Sequence, residues 1–450
     1  MSVYSRWLLV VVLTVATTAS VAQPINIWTK STSGNWEEPF WSMGRLPMAG
    51  DRVLVTNPGW KAVAIGASTM RNFPGSMEMQ DLTVASPVDS FNTLLVNFTG
   101  FETPVKVTGR LTVESNAAAI VLGSLLHVTN TGEFILNGTM RQADFSQVRT
   151  LMIHLGFQGS DAAYHLSNGV FSADHVLVDS RSLFNQEGGS SAISNLLMRN
   201  EGEFRLAGGE LVGGQASIGD GSYAVFTQLG GDARWTNPAQ SILIAPNDGV
   251  GVYTLAGGTL TAPEMWLGRP NYLGGSGPAE FTQTGGTNSL NILFVLSSDT
   301  VGGYTSRYTL SNGLLRTGST TVGASVADAT LAQYGGTHQT DQLRVWGNDG
   351  LGQVAHYDLY GGVVFSSNLT LNAAEFSQTG GSNFVAGNLL LNPQEAPSGR
   401  PAARYTLDGG TLRTSNTVVG KRSFFSQVFG LHEIAGTLDL RVHAKTNSLF

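Results

Sequence analysis

Five residues form the densest acid–base group in this 450-residue chain: Asp161, His165, Asp174, His175 and Asp179. Carboxylates and imidazoles are the side chains that grip or cleave a saccharide, and hydrolysis would need two carboxyls about 5–10 Å apart. These five can act together only if the fold lays positions 161 to 179 on neighbouring turns of chain. Otherwise they are solvated turn residues. A second polar series is more regular. Gln186, Gln228, Gln283, Gln333, Gln378 and Gln427 recur along the chain, and Asn288, His338, Asn383 and His432 follow the last four of them by five positions. Read as function, they would be a row of polar ligands. Read as structure, they are a polar ladder inside a core, where an unpaired amide costs about 1–3 kcal/mol.

Other chemistry is thin. The chain has no cysteine, which removes disulfides, thiolate metal ligands and cysteine nucleophiles. It contains no GxSxG, P-loop or HExxH pattern, the usual marks of a serine nucleophile, a phosphate cradle or a zinc protease. Gly219-Asp220-Gly221, Asn247-Asp248-Gly249 and Asn348-Asp349-Gly350 look like pieces of calcium loops. The tandem G-G-x-G-x-D nonapeptide of a calcium β-roll is missing, so they read as Asx turns and no cofactor or metal is expected. Only 13% of residues are charged, at a net charge of −7 and with no Lys/Arg cluster. That balance excludes nucleic acid as a partner. Asp174, Glu210, Asp232, Glu264, Asp341 and Glu375 fall at unrelated offsets from the nearest glycine pairs, which argues against a lined catalytic groove.

The elements that position these groups come from two alternating motifs. The first, aromatic-x-Leu-x-Gly/Asn-Gly, begins at Tyr164, Phe204, Tyr253, Tyr308, Tyr357 and Tyr405. The second, Phe-x-Gln-x-Gly-Gly, begins at Phe184, Phe226, Phe281, Leu331 (with Leu in place of Phe), Phe376 and Phe425, the last with Phe429 in place of its first glycine. Aromatic and Leu or Gln are two apart, hence on one face of a β-strand. The glycines then break the strand at a corner. Turn clusters separate further short strands, and no part of the mature chain holds a 3.6-residue period. A unit of roughly 22 residues with two or three short strands is one coil of a β-solenoid. The fold expected is all-β: a single elongated parallel β-solenoid, a right-handed β-helix, with an N-terminal cap. Some 16 or 17 coils stacked about 4.8 Å apart would make a rod about 75–80 Å long. A β-propeller, with two motifs per blade, is the rival. It is disfavoured because blades need hairpin turns.

Stacking the motifs predicts two columns. One alternates Leu and Gln from Leu166 to Gln427, and one past the glycines alternates apolar with mostly polar residues from Phe171 to His432. Like residues then lie two coils apart, too far for a Gln–Gln ladder. Each Gln is expected to bond across its own glycine corner, to backbone or to the paired Asn or His.

The organisation expected is a signal peptide over 1–22, a cap over 23–60, degenerate coils over 61–155 and regular coils over 156–450. Arg6, the apolar run Trp7 to Ala16 and Ser20-Val21-Ala22 have the layout of a secretory leader. No other stretch approaches the 18 apolar residues of a membrane span. The expected location is therefore secreted or cell surface. The cap holds Trp28, Trp36, Trp41 and Trp60. Large aromatics there would cover the open strand row of a solenoid end, and a carbohydrate-binding Trp cluster is the sharper alternative. Trp235, Trp266 and Trp346 fall at unequal offsets and do not align as a sugar platform.

The spaced tryptophans, the Gly-Asp-x-Val-x-Val start and the tandem YTLxGGTL and FxQxGGT units resemble those of secreted bacterial β-helix proteins with autotransporter-associated or exosortase-sorted β-strand repeats. The resemblance implies a β-helix fold and no particular activity. Neither a translocator barrel nor a Pro-Glu-Pro sorting signal follows the repeats here. The expected function is a non-catalytic scaffold, adhesin or matrix component, with polysaccharide or cell-envelope components as partners. A carbohydrate-binding or carbohydrate-cleaving β-helix is the second reading, and a passenger segment of a longer autotransporter-like protein the third. A cleft with clustered carboxylates, Lys/Arg and exposed aromatics would favour the sugar reading.

Overall fold

The computed structural model of the chain describes residues 23–129, 131–268, 277–296, 305–323, 329–347, 354–392 and 403–441. The expected leader, 1–22, and the Asn348-Asp349-Gly350 turn lie outside these residues.

Each motif forms a short strand whose aromatic and Leu or Gln point inward: Tyr164 and Leu166 are buried, while Ala163 and His165, which alternate with them, are only half so. After the glycine corner comes a strand of nine or ten residues, such as Val170–Val178 or Thr287–Val295. Its inward–outward alternation breaks near the middle, where the chain turns again. Each regular coil therefore has three faces around a core. Successive coils pair in parallel and in register: Tyr164–Leu166 lie beside Phe184–Gln186, and these beside Phe204–Leu206. About 16 turns stack into a solenoid. Every pairing between the described strands is parallel, whereas a propeller blade is antiparallel.

The two columns form as the motif spacing requires. Leu166, Gln186, Leu206, Gln228, Leu255 and Gln283 are successive register partners, and the row continues to Gln427. Past the glycines, Leu260, Asn288, Leu315, His338 and Val364 are partners in the same way. One residue pair earlier, the aromatics make a stacked column. Rings from Tyr164 to Tyr308 lie 4.6–4.9 Å apart and nearly parallel. Leu331 interrupts the rings, which resume at Tyr357. Offset-stacked rings this deep bury large areas and add about 0.5–1.5 kcal/mol per pair beyond area.

The residues expected as a cap are themselves the first coil. Ile25–Ile27 pairs with Arg52–Val55, and Gly34–Asn35 with Trp60–Gly66. Trp28, Trp36 and Trp41 are buried edge-to-face, and the Trp41 indole donates to the Trp36 carbonyl at 2.8 Å. Trp60 differs: it is 76% exposed and stacks on Phe91 outside the coil. Residues 61–155 continue the same stack, with Phe91–Asn97, Ala117–Leu122 and Thr139–Ala143 in parallel register.

Gly336 and Gly44 share a φ of +67°, but their surroundings differ. A Cβ on Gly336 would lie 2.6 Å from the Gly313 carbonyl one coil earlier, whereas Gly44 has open space. Gly44→Ala should therefore cost about 1 kcal/mol for the left-handed backbone alone. Gly336→Ala should cost a further 1–3 kcal/mol, roughly, as overpacking against a neighbour that cannot give. Urea unfolding with hydrogen exchange at the corner separates the two terms. Equal effects would refute the stacking argument.

Candidate functional site

The inward polar residues are held by a repeated network. Gln283 Nε2 donates to the Gly286 carbonyl at its own corner (3.3 Å) and to the Leu314 carbonyl of the next coil (3.1 Å), while its Oε1 accepts from the Tyr308 hydroxyl (2.7 Å). Gln228 does the same with Gly231, Thr259 and Tyr253. Gln333 uses Gly336, Val363 and Tyr357, and Gln378 uses Gly381, Thr411 and Tyr405. Asn288 and Asn383 do not reach their glutamines. Each donates to the tyrosine hydroxyl of the next coil, at 3.1 and 3.0 Å, and that hydroxyl donates on to the Gln.

The tyrosines are the partners that the motif reading overlooked. Their signal was in the sequence: at the motif's inward aromatic position Tyr appears only in coils that follow a glutamine coil, because only there does a buried hydroxyl meet an acceptor. The exception supports the rule. Gln186 is followed by Phe204, and Ser191 Oγ, in its own coil, supplies the missing donor at 2.7 Å. Gln142, outside the regular motifs, has the full arrangement with Ser146, Val170 and Tyr164. Burial pushes the Tyr253, Tyr308 and Tyr357 phenols well above their ordinary range, so they stay protonated donors.

His338 extends the network across a corner. Its Nδ1 lies 2.9 Å from the Tyr357 hydroxyl and its Nε2 3.0 Å from Thr320 Oγ1, which meets Thr317 Oγ1 at 2.8 Å. Gln333 Oε1 can only accept, so Tyr357 must donate to it and accept from His338. The proton is therefore on Nδ1, and Nε2 accepts from Thr320. Burial pulls the imidazole down to about 3. His432 repeats the pattern with Thr414 and Thr417 of the preceding coil. A Thr-x-x-Thr pair thus precedes both histidines, while Ala262 and Met265 precede Asn288.

Among the described residues, no hydrogen bond or ion pair joins any two of Asp161, His165, Asp174, His175 and Asp179. Asp161 pairs with Arg181 at 3.1 Å on the exposed surface. His165 sits between Arg141 and Asn185 in the motif-strand column, and burial, then Arg141, lowers its pKa. Asp174 and His175 are exposed at the second corner, with Ser194 Oγ 3.5 Å from Asp174. Asp179 is buried and bonded to Arg199 (2.9 Å) and Asn200 (2.7 Å), with His154 Nε2 at 3.6 Å. Burial raises the Asp179 carboxyl, but these partners outweigh it and hold it below the usual carboxylate range. Among the described residues, no three His, Asp or Glu are placed to hold a metal. Asp220, in one of the turns read as Asx turns, accepts from the Asn247 amide of another.

A groove of about 710 Å³ lies on the degenerate coils instead. Arg52 is the register partner of Asp81 and Arg110 that of Glu133, while Asp81 Oδ1 accepts from the Arg110 backbone N–H. The Arg110 guanidinium reaches Glu133 at 2.9 Å. Glu114 accepts from Asn137, whose Oδ1 is buried without a partner. The projection Gly156–Ser160 overhangs this strip, and Phe157 packs edge-on against His154. Irregular motifs hid this site, because its charges align only once the register of coils 52–133 is known. A shallower trough near the other end carries stacked Phe365 and Phe384, with the Arg413 guanidinium over the latter.

Two predictions follow from the network. Tyr253→Phe orphans Gln228 Oε1 and should cost about 1–3 kcal/mol. Adding Ala233→Ser, which copies Ser191, should recover most of that loss in chemical denaturation; no recovery would refute the donor rule. For His338, the folded pKa lies below the unfolded value near 6.5, so the unfolded chain binds the proton first. Its contribution to stability is complete above about pH 6.5 and falls by about 1.4 kcal/mol per unit toward pH 3. ¹⁵N shifts should show the neutral Nδ1–H form at pH 5, and His338→Asn should flatten the stability profile in that window. Compared with known proteins, the chain matches no family model, no curated protein and no solved structure.

Proposed function

We propose that the chain is a non-catalytic β-solenoid scaffold, a secreted or cell-surface rod of the adhesin or matrix kind. The observation that carries this reading is the fate of the regular polar residues. They are turned inward and bonded to backbone, tyrosine and threonine, where they hold coil to coil and face no substrate. The leader-like residues 1–22 and the likeness to autotransporter-associated or exosortase-sorted repeat proteins support export. Among the described residues, no helix is long and apolar enough to cross a membrane.

The charged groove supports a second reading, a rod that binds a saccharide. Its Arg52, Asp81, Arg110 and Glu133 offer planar donors and acceptors beside the Phe157 overhang. Arg110 and Glu133 pair with each other, and that pairing keeps the scaffold reading first. Glycan-array binding and reducing-end release by the full chain test both. The scaffold reading expects no release and no binding that depends on the groove. Binding of a polysaccharide that weakens at least about tenfold in Arg110→Ala, equivalent to 1.4 kcal/mol, would establish the second reading and displace the first.

A further inference from the structure

The first corner position of the motif is glycine in most coils, but Asn168 and Asn312 hold it after Leu166 and Leu310. In both, the side chain folds back on its own main chain. Asn168 Oδ1 accepts from the Gly169 backbone N–H at 2.8 Å, and Asn312 Oδ1 accepts from the Gly313 N–H at 2.8 Å. Each glycine nitrogen is thereby held beside the carboxamide carbon of the residue before it. Asn312 is exposed and Asn168 half-buried, so water reaches both.

The chain has one more Asn-Gly pair, Asn137-Gly138, and there both groups are engaged elsewhere. Asn137 is only 6% exposed and its Nδ2 donates to Glu114 at 3.1 Å. The Gly138 N–H donates to the Val113 carbonyl at 3.0 Å.

We propose that Asn168 and Asn312 are self-modification sites, where the corner converts without an enzyme to aspartate and isoaspartate. The glycine nitrogen attacks the Asn Cγ and forms a C–N bond. The Cγ–Nδ2 bond breaks, and Nδ2 leaves as ammonia with the proton that the glycine nitrogen gives up. The product is a five-membered succinimide, reached because the two reacting groups already lie in contact. Water then adds to one of its two carbonyl carbons and breaks the bond from that carbon to the nitrogen. The chain continues through the α-carbonyl as aspartate or through Cγ as isoaspartate, and nothing is oxidised or reduced.

Isoaspartate adds one methylene to the main chain, two residues before the Val170 and Leu314 carbonyls that accept from Gln142 and Gln283. The corner has no slack for it. A Cβ on Gly169 or Gly313 would collide with the Ser146 or Gly286 carbonyl of the preceding coil. The extra atom must therefore push the accepting carbonyl off its glutamine, and conversion loosens the polar network at that coil.

The test incubates the full chain at mildly alkaline pH and follows all three Asn-Gly pairs by peptide-mapping mass spectrometry, which reads the exchange of NH₂ for OH. Asn168 and Asn312 should convert at least about tenfold faster than Asn137, the factor that one retained hydrogen bond imposes on a rate. Asn312→Gly, which restores the glycine of the other coils, should abolish conversion at that corner alone. In chain carrying isoaspartate at 312, the Leu314 amide, which donates to Gly286, should exchange its hydrogen faster than in unconverted chain. Three results would overturn the proposal: no conversion at Asn168 and Asn312, conversion of Asn137 at the same rate, or unchanged Leu314 exchange beside isoaspartate.

Discussion

The structure rests on how closely one backbone approaches the next at the glycine corners. Where a Cβ would stand on Gly231, Gly286, Gly336 or Gly381, the carbonyl of the glycine one coil earlier is 2.6 Å away. A turn so tight fixes where each strand begins, and the parallel ladder then carries that register through all three faces. Every inward position is thereby repeated along the rod, and the core becomes a set of columns. A ring stacks on a ring. A polar group must find its partner in its own coil or in the one directly above or below.

That restriction explains why the buried polar network is directional. Amide hydrogens run from each glutamine to carbonyls, the tyrosine hydroxyl runs to the glutamine, and Asn or His runs to the tyrosine. All members are neutral, so the network avoids the several-kcal/mol penalty of burying a charge. The buried lysine of the early coils meets the same need differently. Lys61 Nζ is held by Asn92 Oδ1 and the Asn57 carbonyl, and burial lowers it to about 8. Polar residues here select which coil can follow which, while the apolar columns supply most of the driving force.

The repeat architecture and both columns were legible because period-2 alternation and glycine corners are local signals. The hydrogen-bond partners were half legible. Gln283 and Asn288 stand out in one motif, but the donor between them, Tyr308, belongs to the next motif, and its meaning appears only when the Tyr/Phe choice is compared with the preceding Leu/Gln choice. The groove was not legible. Arg110 and Glu133 meet across a register set by strands without a recurring motif, and the Gly156–Ser160 overhang depends on a left-handed Gly156 that sequence does not mark. Asp161, His165, Asp174 and His175 drew attention by density along the chain, which a coil with three faces scatters around its circumference.

The alternation of leucine and glutamine coils also sets the unit by which such a rod can change length. Removing or duplicating one coil would place glutamine on glutamine or leave a tyrosine above a leucine, with a buried group unpaired at the junction. Removing or duplicating two keeps leucine and glutamine coils alternating, so each glutamine still meets a donor. The regular part of this molecule can therefore lengthen or shorten by recombination only in steps of two coils, about 9.6 Å at the usual strand spacing. Its reach is quantised by its core, whatever its surface does.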